Sequence, residues 1–312
     1  MKVIYNENFN FDLGLLRFLH PFEGMRFRKI YECLQGLKGL DFESPHEPVS
    51  AEITKEFLSE VMVQLIQNRN GVLNALELPK LPFITQKYID EKILTPMKWG
   101  VSGTLHGASK ALRSGESYWN LSGGYHHAMQ NQMEGFCVYN DIGIAYQQLR
   151  KSGELTAEDR VLIIDTDAHH GNGNAQVFMD NPNIVILDVY NASIYPTSEY
   201  TRDRVNISMK LKPGTDGETY LECMKIALSE IQGDFRLAFV IAGTDVLASD
   251  KLGGLKLSVE DVKERDRLTL TKLAELNVPA VILGGGGYSR EGIKATVSGI
   301  QACLPPLAAG VV

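Results

Sequence analysis

Apolar residues fall into two kinds of run along this chain. Short blocks with no polar face, Val161-Leu162-Ile163-Ile164, Ile184-Val185-Ile186-Leu187, Leu237 to Ile241 and Val278 to Leu283, read as strands buried on both sides. Between and after them apolar positions recur at helical spacing, over Asp141 to Lys151, Gly217 to Ile231 and Ser258 to about Leu276. Ser258, with Asp261 three residues on, has the pattern of a capped helix start. The first third is less regular. Lys2 to Tyr5 and Tyr118 to Leu121 read as strands, and Phe27 to Leu37, Thr54 to Gln67 and Val101 to Arg113 as helices. Ser50 is placed to cap a helix whose first turn holds Glu52. Leu19 to Arg26, Pro45 to Pro48 and Leu76 to Phe83 are breaks. Strands alternating with helices predict an α/β fold, a mostly parallel sheet covered by helices on both faces. With no linker, repeat or low-complexity stretch, all 312 residues are expected to form one domain.

Composition narrows the function. Hydrophobic residues make up 44% and charged residues 22%, ordinary for a globular protein with a sizeable core. The formal charge of -7 and the lack of a basic run argue against nucleic acid as an obligatory partner, since phosphate neutralisation needs clustered Lys and Arg. The start turns polar too soon for a signal peptide, and no apolar stretch reaches the length of a membrane span. Cys33, Cys137, Cys223 and Cys303 are scattered, which fits free thiols in a reducing cytoplasm.

Candidate chemistry gathers where the predicted strands end. Asp165-Thr166-Asp167-Ala168-His169-His170-Gly171-Asn172-Gly173 follows the strand at Val161. If the extended geometry continues, Asp165, Asp167 and His169 point the same way. Two carboxylates on one face repel unless a cation lies between them; the plain alternative is a surface turn, where Asp, Asn and Gly are common. Gly123 to His127, Gly243 to Asp250 and Gly284 to Tyr288 also end strands. In a parallel sheet such ends open onto one rim, where ligands bind. The Gly284 to Gly287 run lacks the ending of a phosphate-binding loop. His126-His127 can together serve a reacting carbonyl, or be one core and one exposed histidine. Gly135-Phe136-Cys137-Val138-Tyr139-Asn140-Asp141 is either a pocket wall or core.

These residues resemble one family. Gly124-x-His126-His127, Gly135-Phe136-Cys137, Asp165-x-Asp167-x-His169-His170-Gly171-Asn172-Gly173, Thr244-Asp245 and Gly285-Gly286-Gly287-Tyr288 are similar, in order and separation, to the motifs of the zinc-dependent histone deacetylase and acetylpolyamine amidohydrolase superfamily. Leu19-His20-Pro21-Phe22, Asp188-Val189-Tyr190-Asn191, Ile194-Tyr195-Pro196 and Asn172 look most like its class IV branch. The resemblance implies one catalytic Zn2+ on Asp167, His169 and Asp245, with His170 pointing away. Three protein ligands leave a catalytic zinc an open position. It further implies His127 as general base, and His126 held cationic by Asp165. Asn172 would orient His127 without a full negative charge, and Tyr288 would be the oxyanion donor. Phe136, Gly135 and Tyr195 would line an acyl-lysine tunnel, with Leu252 at its mouth and Arg26 at its inner end. A potassium ion near Asp165, Asp188 and the backbone at His169 is implied too.

The implied reaction is hydrolysis of an N-acyl amide, acetyl or longer, on lysine, a polyamine or another small amine. An arginase-type dimetal hydrolase is one alternative; it needs further bridging carboxylates, which this sequence lacks. A non-catalytic module that binds acylated ligands is the other, and such modules usually lack one of the positions that are filled here.

Overall fold

The computed structural model describes residues 1–14, 18 and 20–304; Leu19, the first residue of the segment likened to class IV, lies outside them. Among the described residues eight strands are β1 (Lys2–Ile4), β2 (Asp41–Glu43), β3 (Tyr118–Asn120), β4 (Val161–Asp165), β5 (Ile184–Asn191), β6 (Ile207–Leu211), β7 (Leu237–Ile241) and β8 (Ala280–Leu283). They form one sheet in the order β2-β1-β3-β8-β7-β4-β5-β6, and every pairing is parallel. The central strands β4, β7 and β8 are buried along their whole length, as their unbroken apolar sequences predict.

Successive side chains of β3 show that both faces are covered. Asn120 donates to Gly100 O and Thr104 Oγ1 of the helix Thr95–Ser114, at 3.2 and 3.1 Å. Its neighbour Trp119 faces the helix Glu291–Ala302, where a Cβ at Gly299 would stand 3.4 Å from the indole. Neighbouring residues of a strand point to opposite faces, so helices lie on both sides. The predicted α/β class is the observed one.

The expected elements differ in places, each for a local reason. The helix expected over Thr54 to Gln67 is two, Ala51–Phe57 and Glu60–Ile66, because Ser59 takes the Met62 N–H on its hydroxyl and starts a new helix. The helix expected from Val101 begins at Thr95, with Pro96 in its first turn, where its missing N–H costs nothing. A short helix, Asn172–Val177, follows the Asp-His segment directly. Strands β2 and β6 were not expected. Both are edge strands, and β2 is too short and polar to signal itself, whereas the alternation of Ile207-Ser208-Met209-Lys210-Leu211 is a readable strand signal.

The four Gly-rich segments follow β3, β8, β7 and β4, which are consecutive in the sheet. Backbone hydrogen bonds join them beyond the strand ends: Gly284 N to Ser122 O, Ala242 N to Leu283 O, Thr244 N to Gly286 O and Thr166 N to Ile241 O, at 2.8 to 3.1 Å. Asp141, the first residue of the helix Asp141–Ser152, closes this rim. Its buried carboxylate accepts the Gly124 and Tyr125 N–H groups at 3.0 and 2.8 Å and the Thr104 hydroxyl at 2.7 Å. The turn leading into His126 therefore hangs on one carboxylate. Asp141→Asn replaces an acceptor with a donor facing N–H or O–H groups, which should destabilise the fold by about 2 kcal/mol. A urea midpoint equal to that of the unchanged chain would show that the clamp does not hold this turn.

Candidate active site

β4 ends at Asp165, so the extended geometry stops there and the expectation that Asp165, Asp167 and His169 share one face by strand alternation fails. The chain instead folds in two side-chain-capped steps. Asp165 Oδ1 accepts the Asp167 N–H at 3.1 Å, and Asp167 Oδ1 accepts the His169 N–H at 3.0 Å. This separates the two carboxylates. Asp165 turns to His126, and Asp167 joins His169 and, from the loop after β7, Asp245.

These last three place one ligand atom each within 4.8 Å of one another. His169 Nδ1 lies 2.7 Å from Asp245 Oδ2 and 3.2 Å from Asp167 Oδ1. The other oxygens are tied down: Gly286 N–H donates to Asp167 Oδ2 at 2.7 Å and Ala168 N–H to Asp245 Oδ1 at 2.9 Å. Gly286 can approach because it has no side chain, since a Cβ would stand 2.7 and 2.9 Å from oxygens of the two aspartates. Burial, and then the charge of Asp167, push the Asp245 carboxyl up; the charges of His126 and His169 outweigh burial at Asp167 and hold it well below the usual range. Two buried carboxylates and an imidazole converging this way suit a divalent cation of the zinc type. Among the described residues no second such cluster is present, which disfavours an arginase-type dimetal site.

The two histidines from the loop after β3 stand beside this trio, their rings 4.1 Å apart. His126 Nδ1 lies 2.8 Å from Asp165 Oδ2, and its Nε2 lies 3.7 Å from Asp167 Oδ1. Burial lowers its pKa, but the two carboxylates outweigh this and raise it to about 9, so the ring is cationic near neutral pH. His127 Nδ1 is 2.7 Å from Asn172 Oδ1. Burial, then the charges of His126 and His169, hold His127 well below its ordinary pKa. One ring is charged and its neighbour neutral: two carboxylates hold the charge on His126, and burial beside that charge keeps His127 neutral. His170 uses both nitrogens elsewhere, on Asp188 Oδ2 at 2.7 Å and Thr201 Oγ1 at 3.0 Å, and so points away from the trio. Asp188 is paired across the ladder from Asp165, and its Oδ1 is buried with no hydrogen-bond partner.

The remaining predicted residues divide. Phe136 sits 4.6 Å from the His20 ring and 5.7 Å from Tyr288, and with Gly135 it lines the cavity beside His127. Burial, then Asp245 and Asp167, push the Tyr288 phenol far up, so it remains a donor. Arg26 is buried behind it, donating to Gly287 O at 3.1 Å, with Nη2 unpartnered. Tyr195 stands 5.3 Å from the His127 ring and is 45% exposed. Leu252 does not line the cavity; it lies at the surface, its N–H on Asp250 Oδ1 at 3.0 Å. The other oxygen of Asp250 takes the Tyr288 N–H at 2.7 Å, so this carboxylate ties the two loops together. Asp141, Asp250 and Glu134 were not singled out for the site from sequence. Their signal there is only that of an acidic residue at a helix start or in a loop.

Comparison with known proteins points to one family. The histone deacetylase domain family matches residues 20–304. Histone deacetylase 2 of Arabidopsis thaliana is 29% identical over 309 residues, covering 96% of this chain and 78% of that protein. The acetoin utilization protein AcuC of Bacillus subtilis is 31% identical over 208 residues, 62% of this chain and 50% of that protein. A crystal structure of an HDAC homolog complexed with SAHA shares the fold, with a TM-score of 0.71 at 20% identity over 96% of this chain and 82% of that one. Matched over nearly its whole length, with the motifs assembled on one rim, the chain belongs to the histone deacetylase domain family.

Proposed function

We propose that residues 1–312 form one zinc-dependent catalytic domain that hydrolyses an N-acyl amide, removing an acyl group from the side-chain amine of lysine or from a similar amine. The observation that carries this reading is the convergence of Asp167, His169 and Asp245 beside a neutral histidine whose Nδ1 is already engaged. Zinc held by those three residues supplies, when bound, a Lewis acid that polarises the amide carbonyl and lowers the pKa of water. His127, with its proton on Nδ1 facing Asn172, has its Nε2 lone pair free to take the proton of the attacking water and return it to the leaving amine. Cationic His126 stabilises negative charge developing on the substrate, and the Tyr288 hydroxyl donates to the oxyanion. The buried, unpartnered oxygen of Asp188 beside Asp165 suits a monovalent cation such as potassium, and the class IV likeness remains part of this reading. No helix among the described residues is long and apolar enough to cross a membrane, and a cytoplasmic location is proposed with the rest.

The acyl group has a place to go. Beyond the histidine pair lies a cavity of about 80 Å³, lined by Phe11, Leu13, Leu78, Ile93 and Met97 besides Phe136 and Tyr288. Such walls favour methylenes over water, so acyl groups longer than acetyl are the favoured substrates. His20 also lines this cavity. Its Nδ1 accepts the Phe22 N–H at 3.1 Å, and its Nε2 is buried without a partner.

The test is a panel of lysine peptides with acyl chains from acetyl upwards, assayed before and after chelation and zinc return. Hydrolysis should vanish on chelation and come back with zinc; inertness toward every acylated amine would remove this reading. Tyr288→Phe should lower kcat by about a hundred- to a thousandfold, measured on the best substrate. Ile93→Trp should fill the inner cavity and cut kcat/KM for a hexanoyl peptide, relative to an acetyl one, by about tenfold or more.

His20 also predicts a pH dependence of stability. Burial depresses its pKa from 6.5 to about 4. The stabilisation is therefore complete above about pH 6.5 and is lost as pH falls towards about 4, because only the unfolded chain binds the proton in that window. Between about pH 7.5 and pH 5 this group should cost about 2 kcal/mol. His20→Leu should shrink the acid loss in urea unfolding free energy by that amount, and an equal loss in both proteins would refute the assignment.

A further inference from the structure

An aspartate opposite a base histidine offers only acceptors and so fixes the histidine tautomer. Asn172 offers an oxygen on one side and an NH2 on the other, and by itself it could face His127 either way round. If the NH2 faced Nδ1, the proton would move to Nε2, and the nitrogen directed at the reaction would have no lone pair. Something must orient the amide.

The structure supplies it. Asn172 Nδ2 donates to Glu134 Oε1 at 2.5 Å, while Asn172 Oδ1 faces His127 Nδ1 at 2.7 Å. A carboxylate cannot donate, so turning the amide over would set oxygen against oxygen on one side and give His127 the wrong partner on the other. Glu134 is itself held. Its Oε2 accepts from Gln132 Nε2 at 2.5 Å, and the Tyr195 phenol stands near the same carboxylate. The backbone beneath is a tight turn, closed by Cys137 N–H to Glu134 O at 2.9 Å, with Gly135 and Phe136 at φ of +55° and +65°. Two left-handed central residues are the pattern of a type I′ turn, costly for phenylalanine. The turn is pinned by Phe136 N–H to Ala75 O at 3.0 Å, and it presses on the base: a Cβ at Gly135 would stand 2.3 Å from His127 Cδ2.

We propose that Glu134 is a positioning residue for the base, its carboxylate fixing the Asn172 amide so that His127 carries its proton on Nδ1 and presents an unprotonated Nε2. His127, Asn172 and Glu134 act as a relay in which an amide passes on the directing power of a carboxylate one residue further away. This rests on the reading of His127 as the base.

The experiment uses the zinc-loaded full chain and two readouts. Glu134→Ala should lower kcat by about ten- to a hundredfold with KM changed far less. Asn172→Asp in the Glu134→Ala background should recover most of that loss, because an aspartate needs no orienting. Asn172→Asp alone should be worse than the double variant, because it sets two carboxylates against each other. The second readout is the 15N spectrum of His127, which should show the Nδ1–H tautomer in the unchanged chain and a mixture in Glu134→Ala. Glu134→Gln, which keeps the shape but can offer a donor, should fall between them and serves if the alanine variant does not fold. An unchanged kcat and tautomer in Glu134→Ala, or a double variant no better than Glu134→Ala, would overturn the proposal. If the unchanged chain hydrolyses no acylated amine, the functional reading fails, and the 15N spectrum decides on Glu134 by itself.

Discussion

The site depends on two carboxylates brought together where water cannot separate them. Asp167 and Asp245 come from the ends of β4 and β7, neighbours in the sheet. Each has one oxygen fixed by a backbone N–H, while the other faces its counterpart across His169. Buried like charges at such range are tolerated only with positive charge between them. His126 supplies part of it, and a divalent cation held by His169 and the two aspartates would supply the rest. The neutral state of His127 follows from the same constraint. Once His126 carries positive charge beside Asp165 and Asp167, a second buried imidazolium next to it would be repelled, and the remaining histidine stays neutral, as the proposed base must be.

The sheet makes this arrangement stable. In a parallel sheet every strand ends on the same rim, so residues far apart in sequence meet without long detours. The rim is stiffened by hydrogen bonds between the loops and by Asp141, which ties the turn before His126 to the helix that follows. Rigidity matters for the proposed reaction because a general base misplaced by about 1 Å loses much of its advantage.

The sequence revealed residue types better than directions. The buried strands β4, β5 and β7 were legible because strands buried on both faces must be apolar throughout. The motifs at their ends were legible because polar residues and glycine in such a place are costly without a function. The edge strands went unseen: β2 is half exposed and three residues long, and its pairing with β1 is a tertiary fact. The shared face predicted for Asp165, Asp167 and His169 was wrong for a physical reason: the strand stops at Asp165, and side-chain capping, which no spacing rule encodes, takes over. Glu134, Asp141 and Asp250 act through backbone N–H groups or another side chain, and nothing in their local sequence marks them for that work. Leu252 was placed at the mouth by resemblance alone, and its exposed position is compatible with that place.

One buried charge lies outside all of this chemistry and still belongs to it. Arg265 is fully buried, pairs with Asp266 at 2.8 Å, and donates from Nη1 to Thr166 O at 3.2 Å and Gly243 O at 2.6 Å. Burying a guanidinium is expensive and rarely adds net stability. Its value here is positional. Thr166 precedes Asp167, and Gly243 stands two residues before Asp245, so one cation grips the backbone on the approach to both ligand carboxylates. A hydrophobic pair of similar size could fill the space but could not hold those two carbonyls. The spacing of the ligands is therefore set from behind by an ion pair, as well as from in front by whatever cation they bind.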